Sequence, residues 1–411
     1  MQPTLSPDDA LELILDRLGT VAAEEIPLSA ALERTLSGDL VAPFPLPPFD
    51  NSAMDGYAVR ADDLAGATPD QPARLKLHQV IAAGQAGADA VRSGTCSKIM
   101  TGSPIPPGAD TVVMHEETTS SEGEVRCHGP ARPGQNLRKA GSDVRAGQIV
   151  LCDGARLDSA AWALLAALGQ ERVTVYRRPR IVLLITGAEL VSPGTPLLPG
   201  QIYDSNAYAL EGLARACGAD ILAVERCGDE PEPLRERLEH FASLCDAIVT
   251  SGGVSAGDFD PVRDVLLAHA RVHFWKLAMK PGKPLLFASF AGVPVFALPG
   301  NPASAMVVFE EFVRPALLKL GGRTALLRPR LRVELESSHT SPEGRMEFVR
   351  ARVEPDGSIW KAHICGDQGS GRLASMVGAN ALLRVPAECT QLTPGDTVWA
   401  DLTSAAEVEP S

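Results

Sequence analysis

The chain of 411 residues is poor in positive charge: 38 Lys and Arg stand against 51 Asp and Glu, for a formal net charge of −13. Such a field repels phosphate backbones and no basic run offsets it, so nucleic acid is not expected as a partner. Long apolar runs are missing too. The windows "IVLLI" at 181–185 and "AAWALLAALG" at 160–169 fall well short of the ~20 residues a membrane-spanning helix needs. The opening "MQPTLSPDDA" lacks the basic and apolar regions of an export signal. The expectation is a cytoplasmic protein that does not engage membranes. Eight cysteines, at 96, 127, 152, 217, 227, 245, 365 and 389, include no CxxC pair and no histidine spacing suited to structural zinc. They are expected to be reduced thiols. There is no "GxxxxGK[ST]" of a P-loop ATPase. The eight histidines are scattered and are expected at the surface or as satisfied core residues.

What is abundant is punctuation: 33 prolines and 37 glycines break the chain into short segments. The length implies several domains. "SPDDALELILDRLG" at 6–19 predicts a helix with Ser6 as N-cap, Pro7 at the first position, an apolar stripe of Leu11, Ile14, Leu15 and Leu18, and Gly19 as the stop. A second helix fits 158–169. Residues 50–150 carry short alternating segments such as "ARLKLHQV", which argue for small β-sheets. From about 178, strands "RIVLLIT", "DILAVE" and "DAIVTSGG" alternate with helices near 206–217 and 232–244. That alternation predicts a parallel sheet covered on both faces, completed by "PLLFAS" and "VPVFAL". After about 325, strands separated by "EPDGS" and "TPGD" predict a small all-β domain.

In open α/β sheets ligands bind beyond the carboxyl ends of the strands. Those ends carry Glu189, Asp229, Asp258 and Asp260, and a fourth ends in "PGNPAS", where Asn301 can cap a helix begun by Pro302. After Ser251, Gly252 and Gly253 either form a plain turn or let backbone N–H groups approach an anion. Lys276, Lys280 and Lys283 in "FWKLAMKPGKP" are either a solvated basic face or an oxyanion site stiffened by proline. Acids and lysines at one rim suggest a divalent cation such as Mg²⁺ together with a phosphate or another oxyanion. "PPFDNSAMDGYAVR" at 47–60 concentrates side-chain oxygens in one turn. Asp55 there, like Asp143, fits a turn cap as well as an active-site role; Glu189 and Asp229 likewise fit first-turn helix acids.

The runs "FDNSAMDGYAVR", "IMTGSPIPPGADTVV", "NLRKAGSDV", "TGAEL", "IYDSN", "TSGGVSAGDFD", "FWKLAMKPGKPLLFA" and "ALPGNPAS" occur in order along the chain. In this the chain resembles the molybdopterin molybdenumtransferases, relatives of the C-terminal domain of gephyrin, over nearly its whole length. The resemblance implies insertion of molybdate into the dithiolene of adenylylated molybdopterin, with release of AMP and a need for Mg²⁺. It implies a multidomain α/β plus β fold: a helical linker and dimerisation region (1–49 and 142–178), a β-rich lobe (50–141), a central doubly wound α/β molybdopterin-binding domain (179–325) and a C-terminal β-barrel (326–411). It further implies an elongated homodimer in which Asp55 faces the partner's α/β domain, and transient contact with other proteins of cofactor synthesis.

Position by position, the resemblance assigns the active-site cleft to Asp55, Thr101, Asp143, Glu189, Asp229, Asp260, Lys276 and Lys280. It gives molybdate to Lys280 and Lys283, further anion contacts to Arg350 and Ser370, and substrate contacts to Ser251, Gly252, Gly253, Pro299, Asn301 and Pro302. Asp229 and Asp260, with Asp258 as rival, are the expected metal-side carboxylates. Two acids common in the family are replaced, by Ser142 and Ala188. Two other readings remain. One is molybdopterin adenylylation, carried by an α/β domain alone; the other is a dimeric scaffold that binds molybdopterin without turnover.

Overall fold

The computed structural model of the protein describes residues 4–82, 84, 85, 87–254 and 260–404. The chain divides into two compact units, one of Asp39–Cys152 with Ala160–Glu171 and the other of Met1–Gly38, Asp153–Ser159 and Arg172–Ser411.

The first unit is built on a six-stranded sheet in the order Thr111–Met114, Gly56–Val59, Thr95–Ile99, Ala73–Ile81, Glu124–Cys127, Thr118–Ser121. Tyr57, Val59, Leu75, Cys96, Val113 and Val125 fill its core. The segment rich in oxygen ligands runs into this sheet, and much of its polarity is used locally. Asp50 accepts from Lys139 Nζ (2.7 Å) and the Ala140 amide (2.8 Å), and Ser52 Oγ donates to the Met54 carbonyl (2.5 Å).

The second unit opens with the helix Pro7–Asp16. Ser6 caps it, with extended backbone angles and Oγ accepting from the Asp9 amide at 3.2 Å. The helix ends on Arg17 rather than running to Gly19. Its α/β domain contains strands β1 (Arg180–Thr186), β2 (Asp220–Cys227), β3 (Ala247–Ser251), β4 (Arg271–Trp275), β5 (Leu286–Phe290) and β6 (Val293–Leu298), in the spatial order β2-β1-β3-β6-β5-β4. Alternation along β1 explains why it reads as a continuous apolar run. Ile181, Leu183 and Ile185 point into a core shared with the helices Pro7–Asp16 and Asn206–Ala216, while Val182 and Leu184 join the helices Pro231–Ala242 and Pro261–His269. Both faces are buried.

The sheet is mixed rather than all parallel. β2, β1, β3 and β6 run parallel, whereas β5 is antiparallel to β6. β5 and β6 are joined through Ala291 and Gly292, with φ of 48° and 87°, the two positive values that a tight primed hairpin turn demands. Because β1 leads to β2 on one side and the chain then crosses to β3 on the other, the strand order reverses at β1 and β3. That is where a doubly wound sheet opens a crevice.

The C-terminal strands close a five-stranded barrel: Met346–Asp356, Ile359–Ile364, Arg330–Leu335, Thr397–Leu402 and Ala381–Val385, which returns to Met346–Asp356. Val333, Val349, Val353, Leu383 and Val398 fill it. Phe348 and Leu382, on its outer face, pack instead into the core of the α/β domain. Among the described residues no helix is long and apolar enough to cross a membrane.

Candidate active site

Beyond the carboxyl ends of β1, β3 and β6 lies a cavity of about 680 Å³. Ser251, Gly252 and Gly253 wall it at the end of β3, and Pro299, Asn301 and Pro302 at the end of β6. Gly252 has φ of +95°, and a Cβ there would stand 2.6 Å from both the carbonyl oxygen and Oγ1 of Thr186, so only glycine fits. Asn206, at the start of the next helix, ties two strand ends together: its Nδ2 donates to Ser251 Oγ and to the Gly300 carbonyl, each at 2.8 Å. Asp204 Oδ1 accepts from the Ala207 amide at 3.0 Å and also faces the cavity. Sequence reasoning gave Asp204 and Asn206 no role, although an Asp-Ser-Asn run just before a helix was the available signal.

Besides Asp204, which accepts from the helix's Ala207 amide, two more carboxylates line the cavity, Glu189 and Asp229. Asp229 Oδ2 accepts from the Ala188 amide at 3.1 Å, which draws the end of β2 against that of β1. Asp260, expected beside Asp229, is elsewhere: only 5% exposed, with Oδ2 3.4 Å from Arg263 Nη1, and outside the cavity lining. Its neighbour is a protein cation, whereas Glu189 and Asp229 both line the cavity. Asp258 lies outside the described residues. Among the described residues no three His, Cys, Asp or Glu side chains gather as a metal cage. Two acids at an open cavity suit Mg²⁺, which binds through one or two carboxylates and takes the rest of its shell from water and substrate phosphate.

The three lysines part company. Lys280 lines a second cavity, of about 620 Å³, with Ser337, Ser338, His339 and the loop 366–369. Lys276, with φ of 79°, sets Nζ 3.9 Å above the ring of Trp275, whose Nε1 donates to the Val254 carbonyl. Lys283 is exposed. Arg350 does not face an anion site. It is fully buried, and its guanidinium donates to Ser375 Oγ and to the carbonyls of Asp367, Gln368 and Gly369, so it shapes the loop that borders the second cavity. Ser370 does reach the first cavity's rim, where Asn301 Nδ2 donates to its Oγ at 3.0 Å. Asn301 thus stands at the N-cap position without capping the helix.

Asp55, Thr101 and Asp143 belong to the other unit, all exposed. Asp55 Oδ1 accepts from the Thr101 amide (2.6 Å) and from Thr101 Oγ1 (2.8 Å). These bonds, the backbone one foremost, hold its carboxyl below the usual range.

Fold and site together define a multidomain α/β protein with a strand-end site suited to an anionic ligand, carrying a closed β-barrel. The chain belongs to the MoeA family. Residues 5–169 match the MoeA N-terminal region (domain I and II), residues 183–319 a probable molybdopterin binding domain, and residues 332–400 the MoeA C-terminal region (domain IV). It is 42% identical over 386 residues to molybdopterin molybdenumtransferase 2 of Mycobacterium tuberculosis, covering 92% of this chain and 95% of that one. It is 34% identical over 399 residues to the molybdopterin molybdenumtransferase of Haemophilus influenzae, covering 96% and 97%. The crystal structure of the molybdopterin biosynthesis moeA protein from Pyrococcus horikoshii OT3 superposes with a TM-score of 0.85 at 30% identity, covering 97% of this chain and all of that one.

Proposed function

We propose that the protein is a molybdopterin molybdenumtransferase, inserting molybdate into adenylylated molybdopterin with release of AMP. The observation that carries this is the strand-end cavity inside the molybdopterin-binding region, where backbone and carboxylates meet at the β1/β3 reversal. Ser251, Gly252, Gly253 and Asn301 bind and orient the molybdopterin adenylate. Glu189 and Asp229 would hold Mg²⁺, which supplies charge screening for the phosphates when bound. Lys280, with Lys283, receives the incoming molybdate as a point charge for an oxyanion. The first unit supplies Asp55, Thr101 and Asp143 to the same chemistry across the dimer, and a homodimer in which Asp55 meets the partner's cavity is the arrangement we infer.

Match to all three family regions favours this reading over adenylylation by a lone α/β domain. The test is to incubate the purified protein with adenylylated molybdopterin, Mg²⁺ and molybdate and to follow AMP. AMP release that depends on molybdate is the expected result. Adenylate formed from ATP, or binding without AMP release, would overturn it.

A further inference from the structure

Lys280 is one of the residues through which the barrel meets the α/β domain. Met279–Lys280 forms a short strand parallel to the start of the barrel strand Met346–Asp356, in a register that sets Lys280 opposite Glu347. The Met346 amide donates to the Ala278 carbonyl at 3.0 Å and secures that register. Lys280 Nζ then lies 2.8 Å from Glu347 Oε1. The other carboxylate oxygen, Oε2, is 3.0 Å from His339 Nε2. The Glu347 side chain is 1% exposed and that of Lys280 37%.

A carboxylate so deeply buried is retained only where its oxygens are satisfied. Both are, and by groups on different elements, so the carboxylate has little freedom to rotate. Burial alone would push its pKa up; the bonds from His339 and Lys280 overcome that and hold it at about 2. The ammonium has three donors. One goes to Glu347, and the side chain borders the cavity shared with Ser337, Ser338 and Thr340. A lysine on a flexible four-carbon stem is thereby fixed before any ligand arrives, which removes an ordering cost from binding.

We propose that Glu347 is a positioning residue that holds Lys280 in place for the incoming oxyanion. The proposal rests on the reading of Lys280 as a molybdate-binding lysine. Removing Glu347 has two opposed effects: it unmasks the charge of Lys280, which favours an anion, and it frees the side chain, which disfavours one. Placement dominates, because an ammonium loses its directed hydrogen bonds once its stem is free, whereas an unmasked charge at a half-exposed site is screened by water and salt.

The test is the molybdate dependence of AMP release. Glu347→Ala should raise the molybdate concentration at half-saturation about tenfold, the scale of one charge-assisted hydrogen bond, with the KM for adenylylated molybdopterin unmoved. Glu347→Gln, which keeps an acceptor of the same shape, should raise it less. In a Lys280→Ala background, Glu347→Ala should add nothing further, since its effect runs through Lys280. An unchanged or lowered half-saturation in Glu347→Gln, or an independent added loss in the double variant, overturns the proposal; the Gln variant carries the test if Glu347→Ala does not fold. Lys280→Ala alone separates the two levels. If it leaves molybdate dependence unchanged, the reading of Lys280 fails. If it raises half-saturation while the Glu347 variants do not, only the positioning role fails.

Discussion

Asp55 and Thr101 form a closed pair in which one carboxylate oxygen accepts both the backbone and the side-chain proton of a single threonine, at 2.6 and 2.8 Å. Both bonds favour the charged form. Thr101→Val removes one of them and leaves the other, so the Asp55 carboxyl should titrate at higher pH. Since a depressed carboxylate pKa keeps the anion at lower pH, the acid limb of the AMP-release profile should move to higher pH in the variant. A pH–rate series on both proteins measures it; coincident acid limbs would remove the anion of Asp55 from the chemistry.

Gly252 should not tolerate a side chain. A Cβ within 2.6 Å of two oxygens of Thr186, at φ of +95°, forces the ends of β1 and β3 apart. Strain of this kind costs about 1–3 kcal/mol. Gly252→Ala should weaken binding of molybdopterin adenylate at least about tenfold, the equivalent of about 1.4 kcal/mol. Titration calorimetry gives the answer, and wild-type affinity would show that this turn does not touch the ligand.

Arg384 is the cation around which barrel and α/β domain are charged. It lies 2.5 Å from Asp8, 3.0 Å from Glu311 and 3.3 Å from Asp401, with 9% of its side chain exposed. Taking one partner from a buried ionic cluster strands the others, at about 3–5 kcal/mol. Arg384→Met should lower the denaturant midpoint accordingly, while a variant as stable as the wild type would show the cluster to be superfluous.

Glu311 gives that cluster a pH dependence. Burial pushes its carboxyl up from 4.5 to about 8 against the pull of Arg384. A group whose folded pKa is raised contributes fully below its unfolded value and loses that contribution as pH rises through the folded one. Stability should therefore decline between 4.5 and about 8. Glu311→Gln should flatten the decline. Denaturation at a series of pH values tests this, and parallel slopes in the two proteins would contradict it.

How much of this was legible in the sequence follows from how local each cause is. The cap at Ser6 and the two-faced burial of β1 depend on neighbours within a turn or on a simple period, and both could be read directly. The antiparallel turn of β5 into β6 was also local, because Ala291-Gly292 between two apolar strands is a hairpin signal, but the run of α/β alternation before it masked the change. At the site, strand-end position located Glu189, Asp229, Gly252 and Asn301 correctly on one cavity. Asp260 falls outside that lining, because it stands nine residues past the end of β3, at the N-cap position of the helix Pro261–His269, with Oδ2 3.4 Å from Arg263 Nη1. The pairing of Lys280 with Glu347 joins elements remote in the chain, and nothing in either local sequence announces it.

The most direct test of the account is a crystal structure of the protein with molybdopterin adenylate bound. The account predicts the ligand in the cavity between Gly252, Asn301 and Asp229, its phosphate toward the carboxylate side. A well-occupied ligand elsewhere on the protein, with that cavity left empty, would contradict it.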